Sequence, residues 1–299
     1  MMLARSIPMP ESFDLRRTLR FSLPKGPGVI LLGDDESSFA LQTSAGPAAV
    51  TLGRGHGYVA ATAVGPGAEA ALDAVPRTIG VDDDPDQFSP GTGLLRDVHL
   101  RNRGLRLGST GRVFDALLPA IIGQRVTTEE ARNGYRKLVA ATSAPAPGDL
   151  GLRLPPSPET LGNMSYVDFH GFGLERKRAQ IIIEVARRAK RLEEIADMNR
   201  EDAERRLGAI KGIGRWTAAQ AMGSAWGDRD AVPIGDFHLP NTVAWVLAKE
   251  PRASDVRMLE LLEPYIPLRR RALVLIKLSG VHAPRYGPKS QQSAISDSS

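Results

Sequence analysis

LGAIKGIGRWTAAQ, residues 207–220, decides the fold. EDAERRLGAI (201–210) has the composition of a helix, KGIG (211–214) that of a tight hairpin, and RWTAAQAMGSAW (215–226) that of a second helix. Gly212 and Gly214 allow φ > 0 and put no Cβ in the way of an approaching partner. The free N–H groups opening the second helix point outward, where the helix dipole favours an anion. A nucleic-acid phosphate suits that place, and contact through main chain carries no base sequence information. Lys211 and Arg215 flank the turn and favour this reading over a turn that uses glycine for geometry alone.

Twenty residues beyond Trp216, AVPIGDFHLPNTVAW (231–245) sets Asp236 between Gly235 and Phe237, shortly before a helix expected to start near Pro240. A helix N-terminus favours negative charge there. Alone, Asp236 reads as an N-cap or near-cap. Beside a phosphate-binding hairpin it becomes a candidate for chemistry.

The rest of the chain gives this pair its setting. At 299 residues there is room for one large domain or two ordinary ones. A 42% hydrophobic and 24% charged composition is that of a soluble globular protein. No apolar run approaches the roughly 18 residues of a membrane span. The N-terminal MMLARSIPMPESFD lacks a secretory apolar region, so a cytoplasmic, nucleoid-associated protein is expected. With no cysteine, there are no disulfides, thiolate nucleophiles, iron–sulfur clusters or cysteine zinc sites. The five histidines show no metal-ligand spacing, so no metal site is expected. Residues 1–100 hold 8 Lys/Arg against 12 Asp/Glu, and the remainder 31 against 22, which places polyanion binding in the later part.

Between residues 27 and 65, VILLG, SFALQTS, AAVTLG and YVAATAVG alternate with turn residues and predict an antiparallel sheet, with a short helix at 68–75. GRGHG (53–57) lacks the G-K-[ST] of a P-loop and reads as a turn. From about residue 111 the period is helical, with a kink or split expected at Pro119 and a Pro-rich connection over 141–160. ERKR (175–178) and RRAKR (187–191) bracket one predicted amphipathic helix, either as a solvated face or as DNA contacts. The expected architecture is α+β: a β-rich N-terminal domain (1–104), an all-α domain (105–286) and a disordered tail (287–299).

LGAIKGIGRWTAAQ followed by AVPIGDF resembles the helix-hairpin-helix, Gly/Pro-Asp superfamily of base-excision DNA glycosylases, and within it the bacterial 3-methyladenine DNA glycosylase II family. LRL (105–107), FDALLPAIIGQRVT (114–127) and EPYIPLRRRALVLIKL (263–278) extend the resemblance over about 105–285, with a weaker match at FDLRRTLRF (13–21). It implies Asp236 as the catalytic carboxylate and a base pocket of Trp216, Phe237, Gln220, Lys277 and Phe21. It implies DNA contacts through Lys211, Gly212, Ile213, Gly214, Arg215, Thr217, Gln124 and Arg125. Departures are informative. Where lyase members carry a lysine, two residues after the second hairpin glycine, stands Trp216, so the resemblance implies no lyase activity. The usual pocket aromatics are replaced by Gln220 and Lys277, and the position of the apolar wedge falls on Arg125. These changes make the pocket more polar.

The resemblance also implies duplex DNA containing damaged bases as partner, a monomer, and no required cofactor, although hairpin carbonyls could hold a monovalent cation on DNA. The chemistry expected is extrusion of a damaged purine, an alkylated one first, and hydrolysis of its glycosidic bond. Asp236 would stabilise an oxocarbenium-like sugar and orient or deprotonate the water. A cationic alkylpurine leaves without a second acid, and Trp216 and Phe237 could stack on it. Two alternatives stand: a glycosylase for deaminated or oxidised purines, to which Lys277 could donate, and a non-catalytic DNA-binding protein that uses the hairpin as a clamp.

Overall fold

In the computed structural model, which describes residues 2–23, 26 and 28–284, the four predicted β runs form one antiparallel sheet with a fifth strand, at the N-terminus, that the sequence pattern does not predict. Its strands are β1 (Met2–Pro8), β2 (Ile30–Leu32), β3 (Glu36–Thr43), β4 (Gly46–Arg54) and β5 (Tyr58–Val64), in the order β1-β5-β4-β3-β2. Residues 53–57 lie at the β4–β5 turn, closed by Gly55 N–H to Tyr58 O at 2.9 Å. Helix α1 (Leu15–Ser22) starts at Asp14, whose side chain accepts from Arg17 N–H at 2.8 Å. Helix α2 (Ala68–Thr78) buries Leu72 and Val75 against the sheet. Each such side chain contributes roughly 1.5–3 kcal/mol. The expected tail, 287–299, lies outside the described residues.

Eleven further α-helices and a π-helical segment follow, with short 3-10 turns between some of them: α3 (Leu94–Arg101), α4 (Val113–Ile122), α5 (Thr128–Thr142), α6 (Pro158–Asn163), α7 (Arg176–Arg187), α8 (Ala189–Glu193), α9 (Arg200–Gly208), α10 (Arg215–Ala221), the π-helical segment (Met222–Trp226), α11 (Leu239–Ala248), α12 (Asp255–Leu262) and α13 (Arg269–Leu278). Packing does not follow the division expected at residue 104. Phe88, Leu95 and Val98 join Val243, Val246, Met258, Leu275 and Ile276 in one apolar cluster, so α3 packs with α11 and α13. Asp83 pairs with the fully buried Arg271 and accepts from Leu107 N–H at 2.7 Å, fastening the crossing to α13.

Two helical stretches differ in part from what the sequence leads one to expect. Pro119 does not split α4, which runs unbroken from Val113 to Ile122 with its flanking residues buried. The missing N–H costs one bond, which this core tolerates. The single helix predicted to carry the basic groups 175–178 and 187–191 breaks at Arg188 (φ −101°, ψ 3°) into α7 and α8. Arg178 is neither a solvated face nor a DNA contact. It is buried, and its Nη1–H donates to Ile122 O at 2.8 Å, capping the end of α4. The start of α4 is capped as firmly: Glu193 accepts from Val113 N–H at 2.7 Å and Phe114 N–H at 2.8 Å.

The helix after the hairpin is shorter than its sequence suggests, because at Met222 the α pattern passes into the π-helical segment. Arg77 of α2 reaches across to hold its end, donating Nη2–H to Ala225 O (3.3 Å) and Trp226 O (3.2 Å) and Nε–H to Ser109 Oγ (2.8 Å). Thr110 N–H and Gly111 N–H bond Ser224 O and Ala225 O, each at 2.9 Å. Carbonyls at a helix end need such partners.

Candidate active site

The hairpin places α10 against α4 and sets Gly212 on α7. Gly212 has φ +96°, and a Cβ there would lie 2.4 Å from Ile181 Cδ1 of α7, so glycine is required on both counts. Gly214 differs from expectation. It is extended (φ −87°, ψ 177°) with no atom within 4 Å of where its Cβ would be. Its glycine leaves open space in front of the N–H groups that start α10. Gln124, after α4, donates Nε2–H to Gly212 O (3.0 Å) and to Thr217 Oγ1 (2.9 Å), so its amide works inside the protein. Gly212 O keeps a second lone pair, so the hairpin retains acceptor capacity for a cation. Ile213 and Thr217 are buried, whereas Lys211 and Arg215 are exposed.

Asp236 sits where the chain turns into α11. Its Oδ1 accepts from His238 N–H and Leu239 N–H, both at 2.8 Å, and its Oδ2 accepts from Trp216 Nε1–H at 3.1 Å. The hairpin helix and the carboxylate, 20 residues apart in sequence, are thus joined by one hydrogen bond. Sequence reasoning missed the brace behind them. Gly235, at φ +90°, donates its N–H to Asp255 Oδ2 at 3.1 Å, and only the position of Asp255 opening α12 hinted at it.

Phe21 packs with Leu105, Leu107, Val274 and Leu278, at the seam of α1 and α13, and Lys277 is exposed on α13 beside Leu278. Gln220 is exposed one turn along α10 from Trp216, which stays half-buried against α4: a Cβ at Gly123 would lie 3.8 Å from Trp216 Cη2. Phe237 faces outward, 83% exposed, with its ring edge-on to His238 at 4.9 Å, and so does not line a wall with Trp216. Arg125 is exposed and holds φ +57°, a left-handed conformation uncommon for a residue with a Cβ.

No protein-family model matches the chain. The chain is 26% identical over 189 residues to YfjP of Bacillus subtilis (strain 168), provisionally named a DNA-3-methyladenine glycosylase; the match covers 60% of this chain and 64% of that protein's length. The structure superposes on a 3-methyladenine DNA-glycosylase from Archaeoglobus fulgidus with TM-score 0.78 at 21% identity, covering 92% of this chain and 98% of that one. The chain has the fold of these DNA glycosylases. A structure of MBOgg1 in complex with a low affinity DNA ligand shares it (TM-score 0.73, 14% identity, 93% and 95% covered).

The resemblance to 3-methyladenine DNA glycosylases and the α+β architecture expected from the sequence are therefore borne out. Among the described residues no helix is long and apolar enough to cross a membrane.

Proposed function

We propose that the chain is a monofunctional DNA N-glycosylase that extrudes a damaged purine, alkylated ones first, from duplex DNA and hydrolyses its N-glycosidic bond. The observation that carries this reading is the Trp216–Asp236 hydrogen bond at 3.1 Å, which ties the hairpin to a carboxylate held at the start of α11. A clamp alone would not need that carboxylate. Its three donors fix Asp236 in place, so its charge stands ready where the sugar becomes cationic. The hairpin main chain, with Lys211 and Arg215, takes the phosphate backbone whatever the base sequence. Arg125, exposed after α4, fills the gap left by the extruded base. No lysine stands at the position of Trp216 to attack the sugar, and water is the nucleophile. The cation that hairpin carbonyls could hold on DNA would add positive charge beside phosphate, and no chemical step passes through it.

The test is Asp236→Asn, which is isosteric and keeps one oxygen to accept from the helix-start N–H groups. Single-turnover release of bases from alkylated duplex should fall by at least about a thousandfold, comparable to losing a main electrostatic stabiliser. DNA affinity should stay within about twofold. Near-normal base release would remove Asp236 from the chemistry and leave the clamp reading in its place.

A further inference from the structure

Three consecutive arginines open α13, and they are not equivalent. Arg269 holds Asp230 through two bonds, Nε–H at 2.8 Å and Nη2–H at 2.5 Å. Arg271 is fully buried against Asp83. Arg270 between them forms no ion pair among the described residues. Its Nη2–H donates to Phe21 O at 3.2 Å, and its Nη1 is buried with no hydrogen-bond partner among the described residues. Leaving a charged donor buried and unmatched costs more than the loss of an ordinary hydrogen bond. Burial, only partly offset by Asp83 and Asp228, brings the guanidinium down to about 10, so it remains a cation near neutrality.

The position of Arg270 gives this donor a use. The guanidinium lies over Gly223, where a Cβ would be 2.8 Å from Nε, so the absence of a side chain there makes the space that it occupies. Gly223 follows Trp216 by seven residues, two turns on along the same face, with Gln220 between them. On α13, Arg270, Val274, Lys277 and Leu278 follow the spacing of one helical face, and Phe21 packs against the cluster that holds Val274. Seven residues at 1.5 Å each put Arg270 about 10 Å beyond the level of Trp216 and its partner Asp236. A purine whose glycosidic nitrogen lies near Asp236 spans that interval, with a hydrogen bond at its far edge.

We propose that Arg270 is a specificity-determining residue whose Nη1–H donates to the carbonyl oxygen of an extruded 6-oxopurine. This rests on the glycosylase reading above. Arginine offers donors and no acceptor, so it matches the O6 of an alkylated guanine or of hypoxanthine and opposes the amino group of 3-methyladenine. The site then favours 6-oxopurines within the damaged-purine class.

The experiment measures base release by the full chain from methylated DNA, which liberates 7-methylguanine and 3-methyladenine in one sample, and from a hypoxanthine duplex. Arg270→Met keeps the length of the side chain and removes the donors. It should lower 7-methylguanine and hypoxanthine release at least tenfold more than 3-methyladenine release, the worth of one hydrogen bond to a charged group. Gly223→Ala, which displaces the guanidinium without removing it, should shift selectivity in the same direction and serves if Arg270→Met fails to fold. Equal loss on all three bases in both variants, or wild-type release of 3-methyladenine alone, overturns the role of Arg270 and leaves the glycosylase reading intact. Release of none of the three by the wild type overturns both.

Discussion

Gly212 and Gly214 look equivalent in sequence and are opposites in structure, so alanine at each gives separable results. At Gly212, φ +96° costs a residue with a Cβ roughly 1–2 kcal/mol, and the 2.4 Å overlap with Ile181 Cδ1 adds overpacking of about 1–3 kcal/mol. Gly212→Ala should therefore lose about 2–5 kcal/mol of stability, lowering the melting temperature by about 2–4 °C for each kcal/mol. At Gly214 the backbone is extended and the space is open. There the weaker capping of alanine is offset by reduced freedom of the unfolded chain, and net stability should change by no more than about 0.5 kcal/mol. DNA affinity should respond the other way round. A methyl group at 214 stands in front of the N–H groups opening α10, and losing one charge-assisted bond to phosphate weakens binding by roughly 10- to 100-fold. Fluorescence anisotropy at fixed salt on three unrelated duplexes measures this, and the loss should be the same on each. If Gly214→Ala binds like wild type, or loses affinity on one sequence only, phosphate does not approach the main chain there.

Two further outcomes test the chemistry and the core. Cleaved substrate should be intact abasic DNA, with strand breaks only after alkali or heat and no borohydride-trapped protein–DNA complex. A trapped complex that disappears in Lys277→Ala would make Lys277 a nucleophile. Glu193 is raised above its ordinary 4.5, by burial first and by the charge of Asp115, against the N–H groups of Phe114 and Val113. A carboxyl raised in the folded state favours folding at low pH, and that contribution is lost as pH rises from the unfolded value through the folded one. The stability of Glu193→Gln relative to wild type should therefore improve between about pH 4.5 and neutrality. A difference that stays constant, or moves the opposite way, contradicts the assignment.

The helix-hairpin-helix and the Gly-Asp before α11 were legible because both are local. Turn glycines, capping position and helical period lie within a few residues of each other. What escaped the sequence depends on distant partners. Strand β1 has Arg5 and Ser6 in its middle, and its pairing of Met2 with Val64 is a contact that no window along the chain contains. Arg178 reads as part of a basic run until Ile122 O, 56 residues earlier, takes its donor. Phe237 reads as a pocket aromatic because it is an aromatic next to Asp236, yet its side chain is 83% exposed. The donors around Arg270 come from a triplet that looks uniform, and only the placement of Asp230 and Asp83 tells its members apart.

The grip of Arg77 on Ala225 O and Trp226 O ties the helix that covers the sheet to the π-helical end of the hairpin's second helix. A fragment beginning at residue 105 would lose this arginine together with Asp83, Phe88 and the whole of α3. It would expose carbonyls that water alone must satisfy and a charged Arg271 stripped of its carboxylate. Such a piece cannot serve as a minimal binding module. Supplied in trans, residues 1–104 should restore it, and the two halves would then report on each other as a split protein does, reassembling only when both surfaces are native.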